Sequence, residues 1–181
     1  GAGPTPSGPV GVNDDSGSST TAMVTWGAGG AWGDGTANTD ALAGNANAKL
    51  QRGYLDDQGD GVIDVTVTNV PYAMYDVVLY YSSDQTSGTH HATTVNGVNS
   101  AAGGAISPWG TTSSLDIGRN VVVAAGQTSS TLTLDGLALN APTSRGSLSG
   151  FQIVETTAVP EPTSAALLGL AGLVCTLRRR K

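Results

Sequence analysis

Val62-Ile63-Asp64-Val65-Thr66-Val67-Thr68-Asn69-Val70-Pro71-Tyr72-Ala73-Met74-Tyr75-Asp76-Val77-Val78-Leu79-Tyr80-Tyr81-Ser82 is the stretch that decides the fold. From Val62 to Val70 the side chains alternate. Val62, Asp64, Thr66 and Thr68 fall on one face, and Ile63, Val65, Val67 and Asn69 on the other, the two-residue period of a strand with one side buried. Pro71-Tyr72 interrupts it with a turn, because proline fixes φ and brings no N–H. Tyr75 to Ser82 then runs almost unbroken in Val, Leu and Tyr, as a strand central in a sandwich does.

Working outward, the same period predicts a strand over Thr20 to Trp26, where Ala22, Val24 and Trp26 alternate with Thr21, Met23 and Thr25. Further strands are expected at Ala92 to Val95, ending at an Asn96-Gly97 turn, and at Asn120 to Ala124, Ser130 to Leu134 and Leu148 to Glu155. Ala41, Leu42, Ala46 and Leu50 suit a short helix within Thr39 to Leu50. Short strands, frequent turn signals and no strong amphipathic helix point to an all-β, jelly-roll-like β-sandwich. Its expected extent is 20–156, after a flexible segment at 1–19, where Gly, Pro, Ser, Asn and Asp surround Val10 and Val12 and read as loop or a loosely held edge. Gly27 to Gly35 and residues 99–114 read as Gly-rich loops that carry Trp32 and Trp109.

Of 181 residues 26 are glycine and only 12% are charged, while 39% are hydrophobic, the profile of a turn-rich extracellular β protein rather than a disordered chain. Net charge is −6 overall, but residues 1–158 hold 13 acidic against four basic residues, a local balance of −9. That balance argues against nucleic acid, which needs clustered Lys and Arg. The one cysteine, Cys175, rules out an intrachain disulfide and a structural zinc site built on cysteines. The chain opens Gly1-Ala2-Gly3-Pro4, without Met, a basic stretch or an apolar core, so the signal peptide that export requires is expected upstream.

Residues 159–181 have an order of their own: Val159-Pro160-Glu161-Pro162, an apolar run from Thr163 to Leu177, then Arg178-Arg179-Arg180-Lys181. Fifteen residues make a helix of roughly 22 Å against a hydrocarbon core of about 30 Å, so a short transmembrane helix needs local thinning or snorkelling arginines. The basic end sets its orientation, cytoplasmic for the basic tail and exterior for the sandwich. On this reading 157–162 is a linker and 163–181 a hydrophobic helix with its tail. The three parts resemble the PEP-CTERM sorting signal of Gram-negative bacteria. The resemblance implies recognition and processing by an exosortase near Pro160-Glu161-Pro162, transient insertion in the inner membrane, and a final place in the cell envelope or outside the cell, in organisms that often make exopolysaccharide.

A second resemblance covers about Leu50 to Glu155. Gly53-Tyr54-Leu55-Asp56, Val65 to Tyr72, Tyr75 to Tyr80, Val95-Asn96-Gly97 and Arg145 to Val154 are similar to PEP-CTERM proteins with a galactose-binding-like or malectin-like sandwich. These blocks are strand and turn signatures, and imply fold more than ligand. Sugar binding needs an aromatic plate and polar partners, since a pyranose has an apolar C–H face and a hydroxyl rim. Trp32 and Trp109 are the candidate plates, with Tyr54, Asp84 and His90 as partners; the alternative is that the tryptophans seal the ends of the sandwich.

Asp56, Gln58, Asp60, Gly61 and Asp64 follow the first nine positions of an EF-hand or dockerin loop, which makes calcium the candidate cofactor, with Asp56, Asp57, Asp60 and Asp64 as ligands. Val67 stands where the bidentate carboxylate belongs, and an Asp/Gly turn is the competing reading. The sequence has no Gly-x-Ser-x-Gly elbow, no His-Glu-x-x-His helix and no nucleophilic cysteine, so no enzyme is expected. The functional expectation is an exported surface or matrix protein with a carbohydrate-binding sandwich; the alternatives are a structural envelope protein without a specific ligand and a secreted hydrolase.

Overall fold

The computed structural model describes residues 8–28, 30–33, 46–56, 63–83, 87–90, 93–99, 115–136, 144–145 and 147–156. The elements are β1 (Val10–Asn13), β2 (Ser19–Ala28), β3 (Gly30–Gly33), α1 (Ala46–Leu50), β4 (Gly53–Asp56), β5 (Ile63–Thr68), β6 (Tyr75–Tyr81), β7 (Thr89–His90), β8 (Thr93–Val95), β9 (Val98–Asn99), β10 (Val121–Gln127), β11 (Leu132–Gly136), β12 (Ser144–Arg145) and β13 (Ser147–Glu155). One sheet runs β1-β2-β5-β11-β8-β9 and the other β10-β6-β13-β4-β3, each antiparallel throughout. The short β12 and β7 pair in parallel.

The alternation along β5 is realised residue by residue: Ile63, Val65 and Val67 are buried, and Asp64 and Thr68 are exposed. β6 turns Tyr75, Val77, Leu79 and Tyr81 inward. These two rows meet Leu132 and Leu134 of β11, Val95, Val122 and Leu148 in one core shared by both sheets, which makes the architecture all-β and fits a β-sandwich. The core tyrosines satisfy their hydroxyls: Tyr75 donates to the Ser129 carbonyl at 2.8 Å and Tyr81 to Thr93 Oγ1 at 2.8 Å. Gly136 lies opposite Ile63, where a Cβ would stand 2.9 Å from the Ile63 Cβ, so a larger residue there would force β11 or Ile63 to shift.

The β8–β9 hairpin turns on Asn96 (φ 49°) and Gly97 (φ 77°), the left-handed pair that a two-residue hairpin demands. Asn96 is pinned further, accepting from the Thr133 N–H at 3.0 Å and donating to Gln127 Oε1 at 2.8 Å.

Two regions differ from expectation in detail. Residues 1–19 were expected as a flexible loop or a loosely held edge before a domain starting at 20; Val10–Asn13 is the edge strand β1, paired to β2. The reason is local: Asp14 Oδ1 accepts from the Ser16 N–H at 3.0 Å, the Ser16 hydroxyl at 2.6 Å and the Ser18 N–H at 2.9 Å, closing a tight turn that returns the chain as β2. Gly27 to Gly35 was to be a loop; Gly30–Gly33 is instead β3, paired to β4 with Trp32 opposite Tyr54. The glycines obscured a strand signal that β4 supplies from outside. Of the helix expected in 39–50, α1 occupies Ala46–Leu50. Among the described residues no helix is long and apolar enough to cross a membrane, and the segment read as one, 163–181, lies outside them.

Candidate functional site: an aromatic groove

The two sheets do not close along their whole length. β4 pairs with β13 only at Ser147 and Leu148, so from Ser149 onward the outer edge of β13 has no strand beside it among the described residues. β2 in the facing sheet continues past that point, and the inner surfaces of β2 and β13 stay accessible there. The result is a groove of about 900 Å³.

One wall carries Val24 and Trp26 of β2 above Val65 and Val67; the other carries Leu55, Phe151 and Ile153. All of Val24, Trp26, Leu55, Tyr72, Phe151 and Ile153 are half-buried, packed on the core at one side and open at the other. The rim at the β1–β2 turn is polar, with Asn13, Asp14, Asp15 and, across the opening, Glu155. Hydrogen bonds hold the Asp14 carboxyl below the ordinary carboxylate range, first from the Ser16 hydroxyl and then from the backbone of Ser18, Ser16 and Gly17. It stays ionised in mildly acidic solution. Three aromatic side chains, Trp26, Tyr72 and Phe151, therefore share one concave surface with three carboxylates.

Of the residues expected to form a site, none that is described lines this groove. Tyr54 is buried in sheet packing. His90 is 1% exposed and stacks on Tyr81 with ring centroids 5.6 Å apart, a core position. Trp32 lies in β3, and Trp109, Asp84, Asp57 and Asp60 lie outside the described residues. Asp56 closes β4, and Asp64 stands exposed on β5. Among the described residues no three His, Cys, Asp or Glu side chains gather as a metal site.

Asp64 does have an acidic neighbour, Asp135, directly across the β5–β11 pair. Partial burial and then the Asp64 charge raise the Asp135 carboxyl above its usual pKa.

Residues 158–181 match the PEP-CTERM protein-sorting motif. No curated protein and no solved structure matches the chain. The motif includes Pro160, Glu161 and Pro162 and the basic Arg178, Arg179, Arg180 and Lys181, all outside the described residues. It marks an exported protein that an exosortase processes, bound for the cell envelope or beyond. The groove therefore belongs to a domain that works outside the cytoplasm.

Sequence reasoning passed over the groove residues. Trp26 and Phe151 carry the same inward period as the core, and periodicity assigns a face without saying how far the opposite sheet extends over it.

Proposed function

We propose that this is a cell-surface or extracellular-matrix protein whose sandwich, of jelly-roll and galactose-binding-like kind, holds polysaccharide in the groove between β2 and β13. The supporting observation is the pairing of half-buried Trp26, Tyr72 and Phe151 with the carboxylates of Asp14, Asp15 and Glu155 on one concave surface. Aromatic faces suit the C–H side of a pyranose, and ionised carboxylates accept strongly from its hydroxyls. Export places the domain where such polymers are. The reading is of binding without chemistry, with transient anchoring through 163–181 before the exosortase acts.

A glycan array probed with wild type and with Trp26→Ala tests it. Retention of a neutral or weakly charged glycan, reduced about fivefold or more by Trp26→Ala, is expected, since stacking on a ring contributes roughly 1 kcal/mol or more. Loss on Trp32→Ala or Trp109→Ala with Trp26→Ala unaffected would move the site away from the groove. No retained glycan would leave a structural envelope protein.

A further inference from the structure

We propose that the polysaccharide held between β2 and β13 is an amino-sugar polymer, a partly deacetylated poly-N-acetylhexosamine whose free ammonium groups sit at the acidic mouth of the groove. The inference rests on the sugar-binding reading above and names the ligand class of that same groove.

Three observations carry it. The first is charge. Asp14, Asp15 and Glu155 line the groove, and among the described residues no Lys, Arg or His does. Residues 1–158 hold 13 acidic against four basic residues, so the field around the domain opposes a uronate polymer before it reaches the groove. An ammonium group is drawn in by the same field and donates charge-assisted hydrogen bonds to the carboxylates. The Ser16 hydroxyl and the Ser18 N–H hold Asp14 ionised, so it accepts such a donor even in mildly acidic solution, where a sugar amine is protonated.

The second is the order of surfaces along the groove. Met23 pairs with Thr68, the last residue of β5, so the β1–β2 turn with Asp14 and Asp15 lies beyond that end. Glu155 ends β13 opposite Tyr75, the first residue of β6, at the same mouth. Trp26 pairs with Val65 and stands seven residues along β2 from Ser19, about 23 Å away. The groove is therefore acidic at one mouth and apolar along its length, and a polymer that fills it needs both kinds of substituent. The methyl of an N-acetyl group suits the stretch floored by Val24 and Val65, and a free amine suits the mouth.

The third is the aromatic ring placed among the acids. Tyr72 lines the groove from the turn between β5 and β6, at the mouth that carries Glu155. An ammonium there is attracted by the π face of the ring as well as by the carboxylates, whereas a neutral hydroxyl gains from the carboxylates alone.

Calorimetry on the full chain in phosphatidylcholine nanodiscs tests this with three hexasaccharides: half-deacetylated poly-N-acetylglucosamine, its fully acetylated form, and a glucuronate polymer. In mildly acidic, low-salt buffer the half-deacetylated hexamer should bind about threefold to tenfold more tightly than the fully acetylated one, and the glucuronate hexamer not measurably. The gap should narrow as salt is added, and again as pH rises through the pKa of the sugar amine. Asp14 also holds the β1–β2 turn, so the variant is Asp15→Asn with Glu155→Gln, which should close most of the gap. Equal binding of the two hexosamines, a gap that survives the double variant, or tighter binding of glucuronate overturns the proposal and leaves the sugar-binding reading standing. Hexalysine bound as tightly as the half-deacetylated hexamer, and unaffected by Trp26→Ala, would assign the mouth to a cationic peptide and overturn it as well. No binding of any hexamer overturns the proposal, and an empty glycan array beside it would remove the sugar-binding reading too.

Discussion

Leu79 and Phe151 stand opposite each other on neighbouring strands, point to the same side of the same sheet, and differ in what covers them. Leu79 is wholly enclosed, whereas Phe151 is half-buried on the groove wall. The contrast extends to whole halves of the molecule. On the β6 side, Ile63, Leu132, Leu134 and Val77 close a core with almost no exposed surface. On the β13 side the same alternation supplies Val24, Trp26, Phe151 and Ile153, and β4 stops too soon to cover them. One half of the sandwich turns its apolar pattern into stability, and the other leaves it available for contact.

Substitution separates the halves most clearly. Leu79→Ala should cost about 2–5 kcal/mol in urea unfolding, because it removes a full side chain and leaves a cavity in a close-packed core. Ile153→Ala, one strand away and half-covered, should cost roughly 1 kcal/mol. Equal costs would mean that the groove is as enclosed as the core. Gly136→Ala follows in size: the added methyl meets Ile63 at 2.9 Å, and the displacement should cost about 1–3 kcal/mol. A neutral result would show that the β5–β11 contact gives way easily.

The charged ends respond more weakly and with opposite signs. The Asp135 pKa is raised in the fold, so its contribution is fully favourable below the unfolded-state pKa and is lost as pH rises through the folded one. Asp135→Asn should therefore raise the Tm at pH 7, by an amount of order 1 °C given the partial exposure, and the gain should vanish near pH 3. Calcium that bridged Asp64 to its neighbours would produce a similar rise in wild type, reversed by chelator and absent from Asp64→Asn. Asp14 works the other way. Its lowered pKa adds stability above the unfolded-state value that is lost as pH falls through the folded one, so Asp14→Ala should lower the Tm slightly at pH 7 and hardly at all at pH 2. Thermal scans across that range distinguish the two.

The enclosed half was legible in the sequence because each signal there is local. Ile63-Val65-Val67 announces its own buried face, the run from Tyr75 to Tyr81 its central position, and Asn96-Gly97 its turn. The open half was not, because openness depends on a partner's length. That β4 begins only at Gly53 and pairs with β13 no further than Leu148, while β13 continues to Glu155, is a relation between strands about 90 residues apart, and no periodicity records it. For the same reason Trp32, in a glycine-rich stretch, stood out as a binding residue, while Trp26 was only one alternating position of a predicted strand. The address written in 158–181 needed no fold at all, since its residue order alone matches the sorting motif.

The central claim is that the half-open face is where this protein meets its ligand. Amide shift mapping of the ¹⁵N-labelled chain during titration with oligosaccharides cut from bacterial exopolysaccharide addresses it directly. Saturable shifts confined to Trp26, Tyr72, Phe151, Asp14 and Glu155, and absent from Trp26→Ala, are the predicted result. Saturable shifts on the outer face of β6 and β10, around Tyr80 and Val123, with the groove silent, would contradict it.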